Sequence, residues 1–397
     1  MKILFISWWF PYPPNNGSRI RIFNLLKQLT AHHTVTLLTF SDDAEHDRTQ
    51  IEGLTPYCAD VHVVQHIPFT PSRRQALLGL FSALPRSFVA SYSREMQALV
   101  NQLAPEHDLI LASQVWTSQY ALRGDGGLKG IPKVLEELET AVLYEGRDLE
   151  SDWFWRLRYR PMWWKHKRLV RWAASNFDGI TVVSERELRL LEKIAGPRCP
   201  AAVVPNGVDL AYYQCDATPQ PNKLIFSGAL TFFANYGAMD WFLRDVYPLI
   251  RAKVPEVHLD ITGGTKGVDL NALPQREGVN FTGYLLDIRP AVAESWVSVV
   301  PLQVGGGTRL KILEALALGT PVVSTTKGAE GLDLRPGEDI LIADEPAEFA
   351  QQTVRLLRDP GLRARLAANG RRAVARYDWS IIGDGLHRFL EQVVGAR

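Results

Sequence analysis

The stretch from residue 299 to residue 324, VVPLQVGGGTRLKILEALALGTPVVS, constrains the fold of this chain most strongly. An apolar run at 297–302 predicts a buried strand, and three glycines at 305–307 predict a loop. A helix is expected over 309–318, because Thr308 can cap its start, while Gly319 and Pro321 are typical of a helix end. A strand, a glycine loop, a helix and a second strand in series are typical of a β-α-β unit in a parallel sheet.

The start of this helix has the features of an anion-binding site. A helix N-terminus offers unpaired N–H groups and the positive end of the helix dipole, and glycines let an anion approach the backbone closely. Arg309 and Lys311 lie in the first turn, where cations are unfavourable unless an anion binds beside them. Glu314 follows Lys311 by three residues, so their side chains share a face. The pattern suits a diphosphate joined to a hydroxylated sugar; the alternative is a glycine turn before an ordinary crossover helix.

Two series of apolar segments alternate with helical segments along the 397 residues. Because the apolar segments are continuous rather than alternating, each series predicts a parallel sheet with helices on both faces. Asn206-Gly207 predicts a tight turn between the series, and the polar segment 218–222 is typical of a linker. The predicted fold class is α/β, with two doubly wound domains. The predicted strands are 2–6, 35–40, 61–65, 109–112, 133–136, 180–183 and 202–204, then 224–227, 258–262, 279–282, 297–302 and 340–343.

Composition and motifs exclude several classes of function. A hydrophobic content of 46%, a charged content of 22% and a net charge of +1 give no overall case for nucleic-acid binding. The sequence contains no G-x-G-x-x-G, Walker A, G-x-S-x-G or Asp-x-Asp motif, and its nine histidines and three cysteines form no metal-ligand pattern. We therefore expect no metal and no bound cofactor. The short apolar N-terminus predicts a strand rather than a signal peptide, and the few cysteines fit a cytoplasmic location.

Residues 153–172 combine five tryptophans with many basic residues (WFWRLRYRPMWWKHKRLVRW). Pro161 is expected to divide this segment in two. Aromatic rings beside cations suit weak contact with an anionic lipid surface. Ordinary packing is the main alternative, and stacking on nucleic acid is a lesser one.

Two motifs resemble the signature of family-four retaining glycosyltransferases, which have the two-domain GT-B fold. They are the LEA-A-G-PVV pattern within 299–324 and the PNGVD segment at 205–209. In that family a carboxylate aligned with Glu314 holds the ribose hydroxyls of a nucleotide-sugar donor. A further glutamate eight positions earlier often contacts the donor sugar, and here Gly306 occupies that place. The resemblance extends over nearly the whole chain.

The resemblance implies two Rossmann-like domains facing each other across a cleft. Residues 1–204, with the C-terminal helix 378–397 packing back on them, would form an acceptor-side domain, and residues 205–377 a donor domain. The basic residues that often follow the first donor-domain strand are absent after Ser227, so Arg309 and Lys311 are expected to stabilise the diphosphate. With Glu314, they are the catalytic candidates. The donor-binding candidates are Gly17, Gly228, Tyr284, Leu285, Gly305, Gly306, Gly307, Thr308, Arg309, Lys311 and Glu314.

Further candidates lie in the first half of the chain. The loop at Gly17 closes over the donor phosphates in the resembled family, and Arg19 and Arg21 are expected to assist there. Arg19 is also a candidate acceptor-side contact. The alternative for both arginines is a solvated helix face. Leu138 stands where relatives often have a histidine, and the neighbouring Glu139 is the candidate acceptor contact, with a solvated loop as its alternative.

The implied function is transfer of a sugar from a UDP- or GDP-type nucleotide sugar to a sugar, lipid-linked or small-molecule acceptor hydroxyl, with retention of anomeric configuration. Such enzymes serve glycolipid, polysaccharide or glycoconjugate biosynthesis, and the leaving diphosphate itself takes the acceptor proton. Two alternatives are a sugar-nucleotide epimerase of the same fold and a non-catalytic nucleotide-sugar-binding protein. The implied location is the cytoplasm, with peripheral contact at the inner membrane face through 153–172, and no nucleic-acid partner.

Overall fold

The computed structural model describes residues 1–65, 81–123, 128–140, 153–196, 198–305 and 309–396, without the side chains of Ala90 and residues 153–158. The chain divides into two units. The first comprises Met1–Pro205 together with Trp379–Arg397, and the second comprises Asn206–Asp378. The chain therefore leaves the first unit after Pro205, within the PNGVD segment, and returns to it after Asp378.

The first unit is built on a parallel sheet, in which seven described strands have the order β3-β2-β1-β4-β5-β6-β7. Its strands are buried on both faces: Leu4 and Ile6 of β1 belong to one hydrophobic cluster, and Ile3 and Phe5 belong to another. This explains why the strands are apolar throughout. The strands are β1 Lys2–Ser7, β2 Thr34–Ser41, β3 Asp60–Gln65, β4 Leu109–Ser113, β5 Lys133–Glu136, β6 Gly179–Val182 and β7 Ala201–Val203.

The helices of the first unit cover both faces of this sheet. The helix that follows β6 begins with a side-chain cap: the Ser184 hydroxyl accepts a hydrogen bond from the backbone N–H of Glu187 at 3.3 Å. The described helices are Gly17–Leu29, Ala44–Thr49, Arg86–Ala90, Arg94–Leu103, Ser118–Leu122, Trp153–Asn176, Glu185–Ala195 and Trp379–Gly395, with 3-10 turns at Ile51–Gly53 and Ala104–Glu106.

The final helix, Trp379–Gly395, completes the core of the first unit. It packs so closely on the first helix that a Cβ atom added to Gly383 would lie 2.3 Å from the Cβ atom of Gln28. Leu386 and Leu390 are fully buried in the cluster that also contains Ile3. The helix is therefore an integral part of this unit.

The tryptophan-rich segment is one continuous helix, Trp153–Asn176, and the expected break at Pro161 is wrong. A proline inside a helix removes one backbone hydrogen bond, and a helix of 24 residues tolerates that loss here. Trp172 packs edge-on against the buried Phe88, at 6.0 Å between ring centroids, whereas Trp164 is 51% exposed. Among the described residues, no helix is both long and apolar enough to cross a membrane. Contact with a membrane surface stays a prediction.

The second unit repeats the design with six described strands in the order β10-β9-β8-β11-β12-β13, again parallel. Its central strands are fully buried between two hydrophobic clusters. The strands are β8 Lys223–Ser227, β9 His258–Thr262, β10 Val279–Gly283, β11 Val297–Val300, β12 Val322–Ser324 and β13 Leu341–Ile342. The helices are Phe233–Trp241, Tyr247–Arg251, Arg289–Ala293, Leu310–Leu318, Pro346–Arg358 and Pro360–Val374, with a π-helical turn at Phe242–Val246 and 3-10 turns at Leu270–Ala272 and Ala375–Tyr377.

The elements described within residues 299–324 have the predicted order. Strand β11 precedes the helix Leu310–Leu318, which ends at Gly319 with a left-handed φ of 79°. Arg309 occupies the N-cap position without a capping side-chain hydrogen bond. The predicted cap, Thr308, lies outside the described residues, as do Gly306 and Gly307. In parallel sheets ligands bind beyond the carboxyl ends of the strands, so this helix start lies at the edge of the second unit where a ligand is expected.

Candidate functional site

Lys311 lies in the first turn of the helix Leu310–Leu318, with a half-buried side chain. Its Nζ donates a hydrogen bond to Oδ1 of Asn235 at 2.8 Å and lies 4.2 Å from the centre of the Phe226 ring. Burial, and then the charge of Arg309, lower the pKa of the ammonium group to about 7, against an opposing effect of Glu314. The lysine therefore lies near its titration point at neutral pH and gains from an anion placed beside it.

The loop after β8 surrounds the Lys311 ammonium group. A Cβ atom added to Gly228 would lie 2.7 Å from Nζ of Lys311, so a side chain at this position would displace the ammonium group. Asn235 ties the loop to the lysine, because its Nδ2 donates to the carbonyl oxygen of Ala229 at 2.9 Å. Gly228 was predicted from sequence as a donor-binding residue, and Asn235 was not. Asn235 lies in the first turn of the helix Phe233–Trp241, where no pattern marks it in the sequence.

Glu314 lies one turn further along the same helix and is also half-buried. Its Oε1 accepts a hydrogen bond from the hydroxyl of Tyr213 at 2.7 Å. Burial raises the pKa of the carboxyl group, whereas the bond from Tyr213 and the charge of Lys311 lower it. Burial and then Glu314 raise the pKa of the Tyr213 phenol, which stays protonated and serves as the donor. Tyr213 was not predicted from sequence, because it lies 101 residues from Glu314 along the chain.

Tyr213 is fixed by the segment that follows the PNGVD motif. Oδ1 of Asp209 accepts hydrogen bonds from the backbone N–H groups of Ala211 and Tyr212 at 3.1 and 3.0 Å. The Arg289 guanidinium lies 3.9 Å from the centre of the Tyr212 ring. The motif thus has a structural task in the second unit: it places the phenol that contacts Glu314.

Arg309 is 9% exposed and its guanidinium contacts the backbone of the neighbouring loops. Its Nη2 donates to the carbonyl oxygens of Gly305 at 2.8 Å and Lys327 at 3.2 Å. Gly305 has φ of 112°, a conformation that favours glycine. Arg309 therefore connects Gly305 to Lys327 and supplies positive charge beside Lys311. A direct phosphate contact of Arg309 stays a prediction.

The remaining predicted donor contacts follow β10. Tyr284 is 57% exposed and Leu285 is half-buried directly after that strand. The carbonyl oxygen of Gly283 accepts a hydrogen bond from the N–H of Gly263 at 2.8 Å, which joins the loops after β9 and β10. These residues line the same edge of the sheet as Gly228, and their contact with a nucleotide base stays a prediction.

The predicted sites in the first half belong to the first unit. Gly17 begins the helix Gly17–Leu29 and is exposed, and Arg19 is half-buried in its first turn. Leu138 is fully buried, whereas Glu139 beside it is exposed. Nothing in the described residues assigns Gly17, Arg19 or Glu139 a ligand, and their roles stay predictions.

Arg21 contradicts both of its predicted roles. Its side chain is fully buried, and its guanidinium forms an ion pair with Glu136, with Nε at 2.8 Å from Oε1. It also donates to the carbonyl oxygens of Val204 at 2.8 Å and Pro205 at 3.0 Å. The guanidinium is therefore neither solvated nor directed at a ligand, because a buried carboxylate and two carbonyl groups occupy its donors. These contacts connect Glu136, at the end of β5, to Val204 and Pro205, where the chain leaves the first unit.

A second carboxyl group, Glu137, adjoins this ion pair. It has φ of 58° and its Oε2 accepts a hydrogen bond from Nε2 of Gln114, whose φ is 69°. Burial raises the pKa of Glu137 to about 8, with Arg21 opposing and Glu136 adding to the shift. The carboxyl group therefore loses its proton less readily than that of an exposed glutamate. Among the described residues, no group of three histidine, cysteine, aspartate or glutamate residues could hold a metal ion.

Two family models match the chain, one in each half. The model described as Glycosyltransferase Family 4 matches residues 15–212, and the model described as Glycosyl transferases group 1 matches residues 221–359. The chain belongs to glycosyltransferase family 4. Together the two matches include the helix of Gly17, the Arg21 ion pair and the site residues Asn235, Lys311 and Glu314, whereas Tyr213 lies between them.

Two relatives show how far the similarity extends along the chain. The chain is 30% identical to the phosphatidyl-myo-inositol mannosyltransferase of Mycobacterium tuberculosis over 211 residues, which span 49% of this chain and 55% of the relative. The match thus spans about half of each protein. An uncharacterized protein from the cps region of Klebsiella pneumoniae is 23% identical over 368 residues, covering 89% of this chain and 90% of the relative.

Solved structures show the same architecture. HepE of Anabaena, in complex with UDP and glucose, has a TM-score of 0.69 at 18% identity, covering 99% of this chain and 100% of that chain. Sucrose-phosphate synthase of Thermosynechococcus elongatus has a TM-score of 0.72 at 19% identity over the whole of both chains. The fold is GT-B, and the predicted fold class and family are confirmed.

Proposed function

We propose that this glycosyltransferase moves a sugar from a nucleotide-diphosphate donor of UDP or GDP type to an acceptor hydroxyl, with retention of anomeric configuration and without a metal. One observation carries the proposal. Lys311 and Glu314 lie one helical turn apart at the edge formed by the carboxyl ends of the strands of the second unit, and each is hydrogen-bonded to a neutral side chain. The complexes of HepE with UDP and with UDP-glucose support a donor of this class.

Lys311 would act on the departing diphosphate. Negative charge on the leaving phosphate grows as the glycosidic bond breaks, so a fixed ammonium group beside it stabilises the transition state more than the ground state. An anion bound beside Lys311 also restores the proton that burial makes easy to lose. The glycine at 228 lets this charge reach the loop backbone.

Glu314 would hold the ribose of the donor. A carboxylate accepts hydrogen bonds from two vicinal hydroxyls, and the bond from Tyr213 fixes its orientation. Because the ribose changes little as the glycosidic bond breaks, this contact contributes to binding more than to the chemical step.

Retention requires no dedicated base in this proposal, because the leaving diphosphate takes the acceptor proton. Gly306 stands where relatives often have a glutamate at the donor sugar, so sugar recognition would depend on other groups, with Gly305, Gly307 and Thr308 beside it. The acceptor would be a sugar, a small molecule or a lipid-linked hydroxyl. Arg19 and Glu139 are the proposed acceptor-side contacts. A cytoplasmic location with weak membrane contact through the helix Trp153–Asn176 is part of the same proposal.

The first test identifies the donor class. Thermal shifts are measured with UDP, GDP, ADP and dTDP sugars, since a ligand at 100 times its dissociation constant adds about 2.7 kcal/mol to the free energy of unfolding. Product NMR then separates three outcomes. A new glycoside in the presence of acceptor supports transfer, conversion of the donor alone indicates an epimerase, and binding without turnover indicates a non-catalytic protein.

The second test assigns the residues. Removing a charged partner from a charge-assisted hydrogen bond costs roughly 1.5–3 kcal/mol, or about 10- to 150-fold. Lys311→Ala is expected to lower kcat by this factor, and Glu314→Ala to raise the donor KM. Circular dichroism verifies that both variants fold. Unchanged kcat and KM in both variants would show that the donor binds elsewhere.

A further inference from the structure

Asn235 connects two parts of the second unit that the donor would touch. Its Oδ1 accepts the hydrogen bond from Nζ of Lys311, and its Nδ2 donates to the carbonyl oxygen of Ala229 in the loop after β8. We propose that Asn235 is a positioning residue of the donor site, which holds the Lys311 ammonium group against the backbone of Gly228. The inference rests on the proposed function, because it assigns the partner that makes Lys311 effective on the diphosphate.

The location of the ammonium group explains why a positioning residue is needed. A lysine side chain has four rotatable bonds and places its charge poorly unless its end is held. Here the end contacts Asn235 and the face of the Phe226 ring, 4.2 Å from the ring centre, while the missing side chain of Gly228 leaves room for it. The loop residues 227–230, SGAL, carry no cation of their own. Lys311 therefore supplies positive charge to this loop from a distant part of the sequence, and Asn235 fixes it there.

The amide is well suited to this task. Hydrogen bonding of Nδ2 to the Ala229 carbonyl oxygen leaves only Oδ1 to face Lys311. A neutral acceptor orients the ammonium group without cancelling its charge, whereas a carboxylate at this place would neutralise the lysine and repel a diphosphate. The charged side chains that act on Lys311 are Arg309 and Glu314, and neither forms its hydrogen bond. Asn235 is thus the side chain that sets the direction of the ammonium group.

Two substitutions at Asn235 separate positioning from mere stability. Asn235→Leu has the same number of side-chain heavy atoms but no acceptor, so the charged form of Lys311 loses support and its pKa is expected to fall. Asn235→Asp adds a carboxylate, so the pKa of Lys311 is expected to rise. Calorimetric titration with UDP and GDP between pH 6 and pH 9 measures the affinity. Both variants should bind about tenfold more weakly or worse, while the pH at which affinity declines moves down in Asn235→Leu and up in Asn235→Asp.

Asn369 provides a matched control in the same unit. It also accepts a hydrogen bond from a cation, Arg372, and donates one to a backbone carbonyl oxygen, that of Glu338, at 2.8 Å. Asn369→Leu should leave the affinity and its pH dependence unchanged. If both Asn235 variants moved the pH dependence in one direction, or left it unchanged, the positioning role would be overturned.

A ligand-free measurement keeps this test independent of the proposed function. The lysine side-chain NMR signal that disappears in Lys311→Met reports the pKa of Lys311 in the free protein. Opposite shifts in the two Asn235 variants support the positioning role even if neither UDP nor GDP binds to the wild type, in which case the proposed donor is wrong. An unchanged pKa in both variants overturns the positioning role, whatever the affinity for nucleotide.

Discussion

Each of the two units holds a partly or fully buried cation near the carboxyl end of a parallel sheet. The side chains that bind these two cations differ in charge. In the first unit Arg21 forms an ion pair with Glu136, and carbonyl oxygens accept from the rest of its guanidinium group. In the second unit Lys311 and Glu314 carry opposite charges, yet each bonds to a neutral side chain, Asn235 or Tyr213. Within the described residues, no ion pair joins Lys311 to Glu314.

This difference distinguishes a structural charge from one that is available to a ligand. A buried ion pair whose cation also donates to carbonyl oxygens gains little from an added anion, and removing one partner is strongly destabilising. A cation held by a neutral acceptor keeps its charge but remains costly to bury until an anion arrives. The first arrangement stabilises the fold, and the second reserves free energy for binding.

The largest expected effect is at Arg21. Arg21→Met leaves the Glu136 carboxylate buried without its cation, which should lower the free energy of unfolding by about 3–5 kcal/mol. Urea denaturation measures the loss. Arg21→Met/Glu136→Leu should recover much of it, because the uncompensated charge is gone. Arg19→Met, at a half-buried position on the same helix, is the control; equal losses in the Arg19 and Arg21 variants would contradict a special role of the ion pair.

At Lys311 the effect should be smaller and opposite in sign. Lys311→Met removes a charge that is costly to bury, a cost that the lowered pKa puts at about 5 kcal/mol, but it leaves Oδ1 of Asn235 without its donor, which costs about 1–3 kcal/mol. We therefore expect the free energy of unfolding to rise by about 2 kcal/mol at pH 7 while kcat falls. Because the pKa of Lys311 in the folded protein is lowered to about 7 from its ordinary value of 10.5, the folded wild type holds fewer protons than the unfolded chain between these values. The gain should be full below pH 7 and fade toward pH 10.5.

Urea denaturation at pH 6 to 10 tests this dependence on pH. Lys266→Met serves as the control, because Lys266 is an exposed lysine of the same unit. Its stability relative to the wild type should not vary with pH. A Lys311→Met variant that is less stable than the wild type at pH 7 would show that the ammonium group supports the fold, as Arg21 does.

The smallest expected effect concerns Tyr213. Tyr213→Phe removes the hydroxyl that orients Glu314, at a cost of about 1 kcal/mol, and should raise the donor KM about fivefold with little change in kcat. Steady-state kinetics measures both constants. Tyr212→Phe retains the ring on which Arg289 lies and should behave as the wild type. An unchanged KM in Tyr213→Phe would mean that Glu314 needs no orienting partner.

Much of the fold could be predicted from sequence because both sheets are covered on two faces. Strands in such sheets are continuously apolar, so β1 and β11 could be predicted from sequence, with ends one or two residues from the predicted ends. The break at Pro161 failed because packing along a long helix outweighs one missing hydrogen bond. The burial of Arg21 was not predicted, although the helical spacing indicates it. Arg21 precedes the buried Leu25 by four residues and therefore lies on the inward face of the helix.

Only those residues of the candidate site that lie close together along the chain could be predicted from sequence. Lys311 and Glu314 share a face because they are three residues apart on one helix. Their partners come from 76 and 101 residues away, and only the tertiary fold brings them together. An asparagine after β8 and a tyrosine after PNGVD have no periodic pattern that would mark them, so no sequence rule used here could have found them.

The return of the chain after Asp378 has a consequence for biosynthesis. The second unit is one continuous stretch, Asn206–Asp378, and its core can form as soon as that stretch has left the ribosome. The first unit begins earlier but needs Trp379–Gly395, whose Trp379 and Leu386 belong to its hydrophobic core. Its face toward that helix, with Ile3 and Leu25, must therefore wait until the second unit has been translated. The half of the protein that is made first is the half that is finished last.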